Sequence, residues 1–166
     1  EEIEIIGYSI EGRPLEVIRF GNGEIPVMII AGIHGGYEWN TVTLADQLID
    51  SIRTDNNLVP SDKTLYIMRL FNPDGFEKDR GYDGRANANN VDLNRNWDAN
   101  WQQNWSGSQC WSYRYITAGT APFSEPETIS LSDFILRKNI KALISYHSAA
   151  LGIFSGGWPY DQDSIN

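Results

Sequence analysis

The chain has 166 residues and a formal net charge of −9, with 13 Lys and Arg against 22 Asp and Glu. A surplus of that sign repels phosphate backbones, and no basic run offsets it locally, so nucleic acid and anionic membrane surfaces are excluded as partners. With 41% hydrophobic residues the chain has enough length for one domain with a core of its own, and its single cysteine, Cys110, has no partner for an internal disulfide.

Glu2 to Ile10 alternates loosely between apolar and polar residues, EGRP turns the chain, and Leu15 to Phe20 alternates again before Gly21-Asn22-Gly23. This pattern predicts a β-hairpin. Ile25 to Ile33 (IPVMIIAGI) is a continuous apolar run rich in β-branched residues, as in a strand buried on both faces and interior to a sheet. It contains a proline and is too short to span a bilayer. The opening EEIEIIG has neither the charged nor the apolar region of a signal peptide and lacks an initiating Met, so it carries no statement about compartment.

After His34-Gly35-Gly36, apolar residues at Val42, Leu44, Ala45, Leu48, Ile49 and Ile52 predict a helix from about Glu38 to Arg53. Leu65 to Phe71 (LYIMRLF) reads as another buried strand, and strand, helix, strand gives a crossover long enough for parallel pairing. From Asn72 to about Pro122 the periodicity fails. A stretch of that length inside a compact domain is functional or disordered, and Trp97, Trp101, Trp105 and Trp111 favour an ordered region anchored by aromatic rings. Ser124-Glu125-Pro126-Glu127 then combines a cap, a first-turn proline and acidic residues, opening a helix that runs to about Lys138. Lys141 to Tyr146 is read as a third buried strand and Leu151 to Phe154 as the start of a fourth. The architecture is α/β.

The sequence holds two histidines, His34 and His147, and each follows a predicted buried strand. Ligands in open α/β sheets bind outside the carboxyl ends of the strands, so the two imidazoles can converge there. Glu38, across a Gly-Gly turn from His34, can turn its carboxylate to the same point. Two His and one Glu make a three-ligand zinc site with a fourth position open. Singly, each residue has a plainer reading: a loop histidine, a carboxylate at a helix start and a hydrogen-bonded strand-end histidine. Jointly, the metal reading prevails. A second cluster, Arg85, Asn94 and Arg95, lies in GRANANNVDLNRNW. Arginine forks hold carboxylates bidentately and asparagine adds a donor, although composition alone leaves these as solvated loop residues.

The strings AGIHGGYEWNT, FNPDGFEKDRGYDGRANANNVDLNRNW, FSEPET and ALISYHSA, in that order, resemble the zinc carboxypeptidases of the carboxypeptidase A type. GYSIEGRPLEV is similar to that family's first hairpin, and the resemblance runs from about Gly7 to Gly157. It implies a three-layer fold, a mixed and mostly parallel sheet flanked by helices, in which this chain, a single domain over 1–166, is the N-terminal portion of the catalytic domain. It also implies one zinc ion held by His34, Glu38 and His147. That ligand set is the one known for carboxypeptidase A and is expected for that reason. By the same resemblance Asn94 and Arg95 hold the substrate's terminal carboxylate, and Arg85 polarises the scissile carbonyl.

The implied activity is hydrolysis of a peptide with a free carboxylate, releasing its C-terminal residue by attack of metal-activated water, in a secreted or periplasmic setting. Two departures bear on this. The family has two residues between its first His and Glu, whereas this chain has Gly35, Gly36 and Tyr37. The family's general-base Glu, its substrate-contacting Tyr and its specificity pocket lie beyond the position matching Asn166, so the segment alone is expected to lack the proton acceptor. Two other readings compete. One is an amidase or deacylase of the same superfamily acting on cell-wall peptides or N-acyl amino acids. The other is a non-catalytic module that binds through its tryptophans.

Overall fold

The structure is a computed structural model that describes residues 1–105 and 116–148. In chain order its elements are β1 (Glu2–Tyr8), β2 (Pro14–Phe20), β3 (Ile25–Ile30), α1 (Trp39–Thr54), β4 (Lys63–Met68), α2 (Pro73–Lys78), β5 (Asn104–Trp105), β6 (Ile116–Thr117), α3 (Pro126–Lys138) and β7 (Ala142–Ser145). The main sheet runs β1-β2-β4-β3-β7, and β5 and β6 form a separate two-stranded ribbon. β1 with β2 and β2 with β4 are antiparallel, whereas β3 with β4 and β3 with β7 are parallel. The sheet is therefore mixed, and β3 is interior as its unbroken apolar run predicts.

Strand alternation builds two cores, one on each face. Leu15 and Val17 of β2, Met28 and Ile30 of β3, and Tyr66 and Met68 of β4 pack with Leu131 and Phe134 of α3. Ile18, Phe20 and Ile67 pack with Ala45, Ile49 and Ile52 of α1. Helices on both faces of one sheet make the three layers, and each fully buried Leu, Ile or Phe contributes roughly 1.5–3 kcal/mol. α3 ends at Asn139, whose left-handed backbone (φ 53°) returns its N–H to the carbonyls of Ile135 and Leu136; this cap turns the chain back into β7.

Three expectations need correction. The extended backbone of β3 stops at Ile30, not Ile33, because the Gly32 N–H leaves the ladder to donate to Thr41 Oγ1 of α1 (3.1 Å). The stretch after Asn72 is not wholly irregular. It opens with α2, capped by the Asn72 side chain, which accepts from the Gly75 N–H (2.9 Å), with Pro73 in the first turn. Six residues are too few to show a 3.6-residue period, so only Asn-Pro-Asp gave it away. β7 is not buried: Leu143 and Ile144 are 40% and 56% exposed, because β7 is the edge strand and nothing among the described residues covers it. The proposed strand at Leu151–Phe154 lies outside the described residues, as does Trp111.

The loop region is ordered by polar as well as aromatic anchors. Trp97 packs on Phe71 and Phe123 at ring centroid distances of 6.4 and 5.5 Å, and Trp101 Nε1 donates to the Ala118 carbonyl (3.2 Å). Asn87, with no exposed surface, donates to Glu125 Oε2 (2.8 Å) and Glu127 Oε2 (3.2 Å) and accepts from the Asn89 and Val91 N–H groups (3.1 and 3.0 Å). Asn96 donates to the Ala118 and Ala121 carbonyls and accepts from the Glu125 N–H and Thr128 Oγ1. Both asparagines thus fasten the loop to the start of α3.

Glu127 supplies a pH test of this anchoring. Burial pushes its carboxyl above the ordinary value of 4.5, against hydrogen bonds that include the one from Asn87. A raised folded pKa means the folded state holds the proton more tightly. The resulting stability is complete below the unfolded carboxyl's pKa and is lost as pH rises through the folded value. Glu127→Gln, uncharged at every pH, is expected to gain stability relative to wild type as pH rises from about 4 to about 7. Urea titration at several pH values measures this; a constant difference would show that Glu127 titrates normally.

Candidate functional site

β3 and β7 run parallel with Ile30 opposite Ser145, so the residues that follow them leave the same end of the sheet. From β3 the chain passes through Ala31, Gly32 and Ile33 to His34, then makes a 3-10 turn over Gly35–Glu38 that runs straight into α1. From β7 it passes through Tyr146 to His147. The additional residue between His34 and Glu38 is absorbed by this turn. Gly35 takes a positive φ of 46°, and a Cβ on Gly36 would stand 1.9 Å from the Asp79 carbonyl oxygen. No other residue type fits there without moving the backbone.

The turn aims Glu38 between the two imidazoles. Its Oε1 is 2.9 Å from His34 Nδ1 and its Oε2 is 3.1 Å from His147 Nδ1, and the Ser148 N–H donates to Oε2 (3.3 Å). One donor atom from each of the three residues falls within a common 4.8 Å. Tetrahedral zinc with bonds of about 2.0–2.2 Å sets its ligands roughly 3.3 Å apart, so the set has the chemistry and the spacing to hold that ion. Burial opposes ionisation of Glu38, but hydrogen bonds from His147 and His34 outweigh it and hold the carboxyl at about 2. Glu38 is therefore an anion at neutral pH. Burial likewise pulls His34 down, but the charge of nearby Asp92 and its contacts with Asp92 and Glu38 carry it above the ordinary value.

The other nitrogen of His34 is the telling one. His34 is 2% exposed, and its Nε2 lies 3.4 Å from Asp92 Oδ1, within ion-pair reach but without hydrogen-bond geometry. When a metal takes Nδ1 the ring proton must sit on Nε2, where Asp92 is the group that can accept it. Asp92 Oδ2 accepts from Arg85 Nε (2.9 Å), and Arg85 Nη1 stands 3.3 Å from His34 Nδ1. Burial would raise the Asp92 carboxyl, yet the His34 and Arg85 charges hold it well below the usual range. Among the described residues His147 has no such carboxylate on its far nitrogen; Ser145 Oγ is 3.4 Å from its Nε2.

Arg85, Asn94 and Arg95 lie on the same loop as Asp92, and Arg85 and Asn94 bond to its carboxylate. The Asn94 N–H donates to Asp92 Oδ1 (2.9 Å), Arg95 Nη1 donates to the Asn94 carbonyl (2.8 Å), and the Arg95 guanidinium lies 4.9 Å from the centroid of the Trp105 ring. Asn94 and Arg95 are half-buried, which leaves donor capacity toward solvent. The sequence reading passed over Asn87 and Asn96. Their signal is weak: asparagines inside an aperiodic stretch, flanking the arginines by one or two positions. No helix among the described residues is long and apolar enough to cross a membrane.

Comparisons with known proteins bear on the family and the fold. The family profile described as zinc carboxypeptidase matches residues 2–165. Carboxypeptidase A1 of Sus scrofa is 32% identical over 97% of this chain and 44% of its own length. Carboxypeptidase B of Astacus astacus is 31% identical over 95% of this chain and 56% of its own length. Among solved structures, bovine thrombin-activatable fibrinolysis inhibitor in complex with tick carboxypeptidase inhibitor superimposes with a TM-score of 0.72. It is 33% identical, and the match covers 89% of this chain and 53% of that one. The murein-tripeptide amidase MpaA from Escherichia coli O157 gives a TM-score of 0.65 at 30% identity, covering 88% of this chain and 61% of that one. The chain thus spans about half the length of the curated relatives it matches.

Two variants test the centre. The protein is expected to bind about one zinc per chain, and His147→Ala to lose most of it, because two remaining ligands no longer close the chelate. Asp92→Asn is expected to weaken zinc binding by about ten- to a hundredfold through His34 alone. Metal analysis after gel filtration and competition with a chromogenic chelator measure both; unchanged zinc content in His147→Ala would sink the site.

Proposed function

The chain belongs to the zinc carboxypeptidase family, and on that footing we propose that the whole protein hydrolyses the amide bond preceding a C-terminal residue of a peptide. The observation that carries the reading is the convergence of His34, Glu38 and His147 within 4.8 Å, with Arg85 3.3 Å from His34. When bound there, zinc supplies a Lewis acid for the carbonyl and an acidified water. Glu38 contributes the anionic ligand, and its low pKa keeps protons from competing for that position.

Arg85 is proposed to face the scissile carbonyl. Its Nε is held by Asp92, so the guanidinium is oriented before substrate arrives, and charge developing on the carbonyl oxygen meets donors already in place. Asn94 and Arg95 are proposed to hold the terminal carboxylate, Arg95 with its ring of support from Trp105. Glu38 and Asp92 are both engaged, so the carboxylate that takes the water proton and delivers it to the leaving amine is proposed to be a different one. A secreted or periplasmic setting follows from the family reading alone.

A second reading has its own support. The likeness to a murein-tripeptide amidase favours a cell-wall peptide as substrate, cleaved by the same centre. N-acyl amino acids fall under the same alternative.

The two arginines separate these readings because they are expected to differ in kind. In the full-length enzyme Arg95→Ala should mainly raise KM, at a cost of about 2 kcal/mol, and only for substrates with a free terminal carboxylate. Arg85→Ala should lower kcat about a hundredfold with little change in KM, since its partner is charge present only in the transition state. Free-acid and amidated peptides assayed side by side on both variants supply the comparison. Equal loss on both substrates in Arg95→Ala would replace the carboxypeptidase reading with the amidase one.

A further inference from the structure

Beside the metal centre lies a cavity of about 160 Å³, a size that admits a benzene-sized group. Arg85 and Asp92 form the wall it shares with the centre, and Lys78, Tyr82, Asp83 and Asn90 are among the other described residues that line it. Neither Asn94 nor Arg95 lines it. If Asn94 and Arg95 take the terminal carboxylate and Arg85 the carbonyl, a cavity walled by Arg85 alone adjoins the residue that owns that carbonyl, on the amino side of the scissile bond.

The charges in this cavity are unequal in their commitments. Asp92 is buried against Arg85 and His34, so that pair is internally matched. Asp83 is exposed and already engaged by another group. Lys78 closes α2, and its ammonium donates to Asn90 Oδ1 (3.2 Å), a neutral amide; no carboxylate among the described residues lies within ion-pair distance of it. Asn90 itself sits in the left-handed region (φ 59°), in a turn made by its N–H to the Asn87 carbonyl (3.0 Å). That strained position presents its side chain to Lys78. Tyr82 supplies an aromatic wall, braced edge-on by Tyr37 at 5.6 Å between centroids.

We propose that this cavity is the subsite for the residue on the amino side of the scissile bond, and that Lys78 makes it selective for an acidic side group of glutamate length. The methylenes pack on Tyr82, and the carboxylate replaces the Asn90 amide as the partner of Lys78, exchanging a neutral acceptor for a charged one. The inference rests on the hydrolase reading for the identity of the subsite, but binding can be read without turnover.

The full-length zinc-loaded protein would be titrated calorimetrically with N-acetyl-Glu-Phe and N-acetyl-Gln-Phe in which the scissile amide is reduced to CH2–NH, so that neither is cleaved, both share the terminal carboxylate, and they differ only in the side group before the scissile position. Wild type is expected to favour the glutamate about fivefold at low salt, the reach of one exposed ion pair, and less at high salt. Lys78→Gln should equalise the two probes and Lys78→Glu should invert the order. Kinetic constants for peptides bearing Glu or Gln before the scissile bond form the second arm, and kcat/KM should follow the same ranking. Equal binding in wild type, no binding of either probe, or a preference that survives in Lys78→Gln overturns the subsite. If both peptides are cleaved equally by wild type and Lys78→Glu, the subsite fails while the hydrolase reading stands. If binding tracks Lys78 and neither peptide is cleaved, the subsite stands and the hydrolase reading fails.

Discussion

A carboxylate almost without access to water, Asp92 at 2% exposure, ties together His34, Arg85, Asn94 and Arg95. Its Oδ1 faces His34 and accepts from the Asn94 backbone, its Oδ2 accepts from Arg85, and its own carbonyl accepts from the Arg95 N–H. A buried carboxylate left unpaired costs several kcal/mol, so these partners are obligatory and their geometry is fixed by that penalty. The consequence is that the candidate metal site and the proposed carboxylate clamp are one construction. A change at Asp92 would disturb the imidazole and the guanidinium together, and their effects would not add.

The approach of Glu38 to the two imidazoles depends on a different constraint. Three residues separate it from His34, an i,i+4 spacing that a regular helix starting at His34 would also bring to one face. The chain instead makes a single 3-10 turn pressed against the Asp79 carbonyl, with glycine at the point of contact. α1 can then begin at Trp39 with its apolar face on the sheet. Packing of Ala45, Ile49 and Ile52 fixes the helix, and the helix fixes the turn.

The irregular region between β4 and α3 is held mainly by side-chain amides. Asn87 and Asn96 each satisfy several buried backbone or carboxylate groups at the head of α3. Buried networks of this kind are rigid when complete and costly when one member is lost. Arg85 lies two residues before Asn87 and Arg95 one residue before Asn96, so the loop's anchors also set where both guanidinium groups emerge. α3 therefore acts on the site at a distance while its other face fills the core through Leu131 and Phe134.

The sequence by itself determined the α/β class, the interior strand, both long helices and the candidate ligands, because each rests on a short-range pattern: alternation, a 3.6-residue repeat, a cap, a histidine after an apolar run. It also carried Arg85, Asn94 and Arg95 through motif order. Only the tertiary structure decided that β3 ends at Ile30, that six residues after Asn72 form a helix and that β7 stands exposed at an edge. It also decided that Asn87 and Asn96 are anchors and that Lys78 faces a cavity beside Arg85. Most of these features depend on a partner distant in the chain: Thr41 for the Gly32 amide, Glu125 and Glu127 for Asn87, Ala118 and Ala121 for Asn96; the short helix after Asn72 is the exception, since its cap is local. No local pattern encodes such a partner, since the same asparagine or lysine is solvated or buried according to what the fold brings against it.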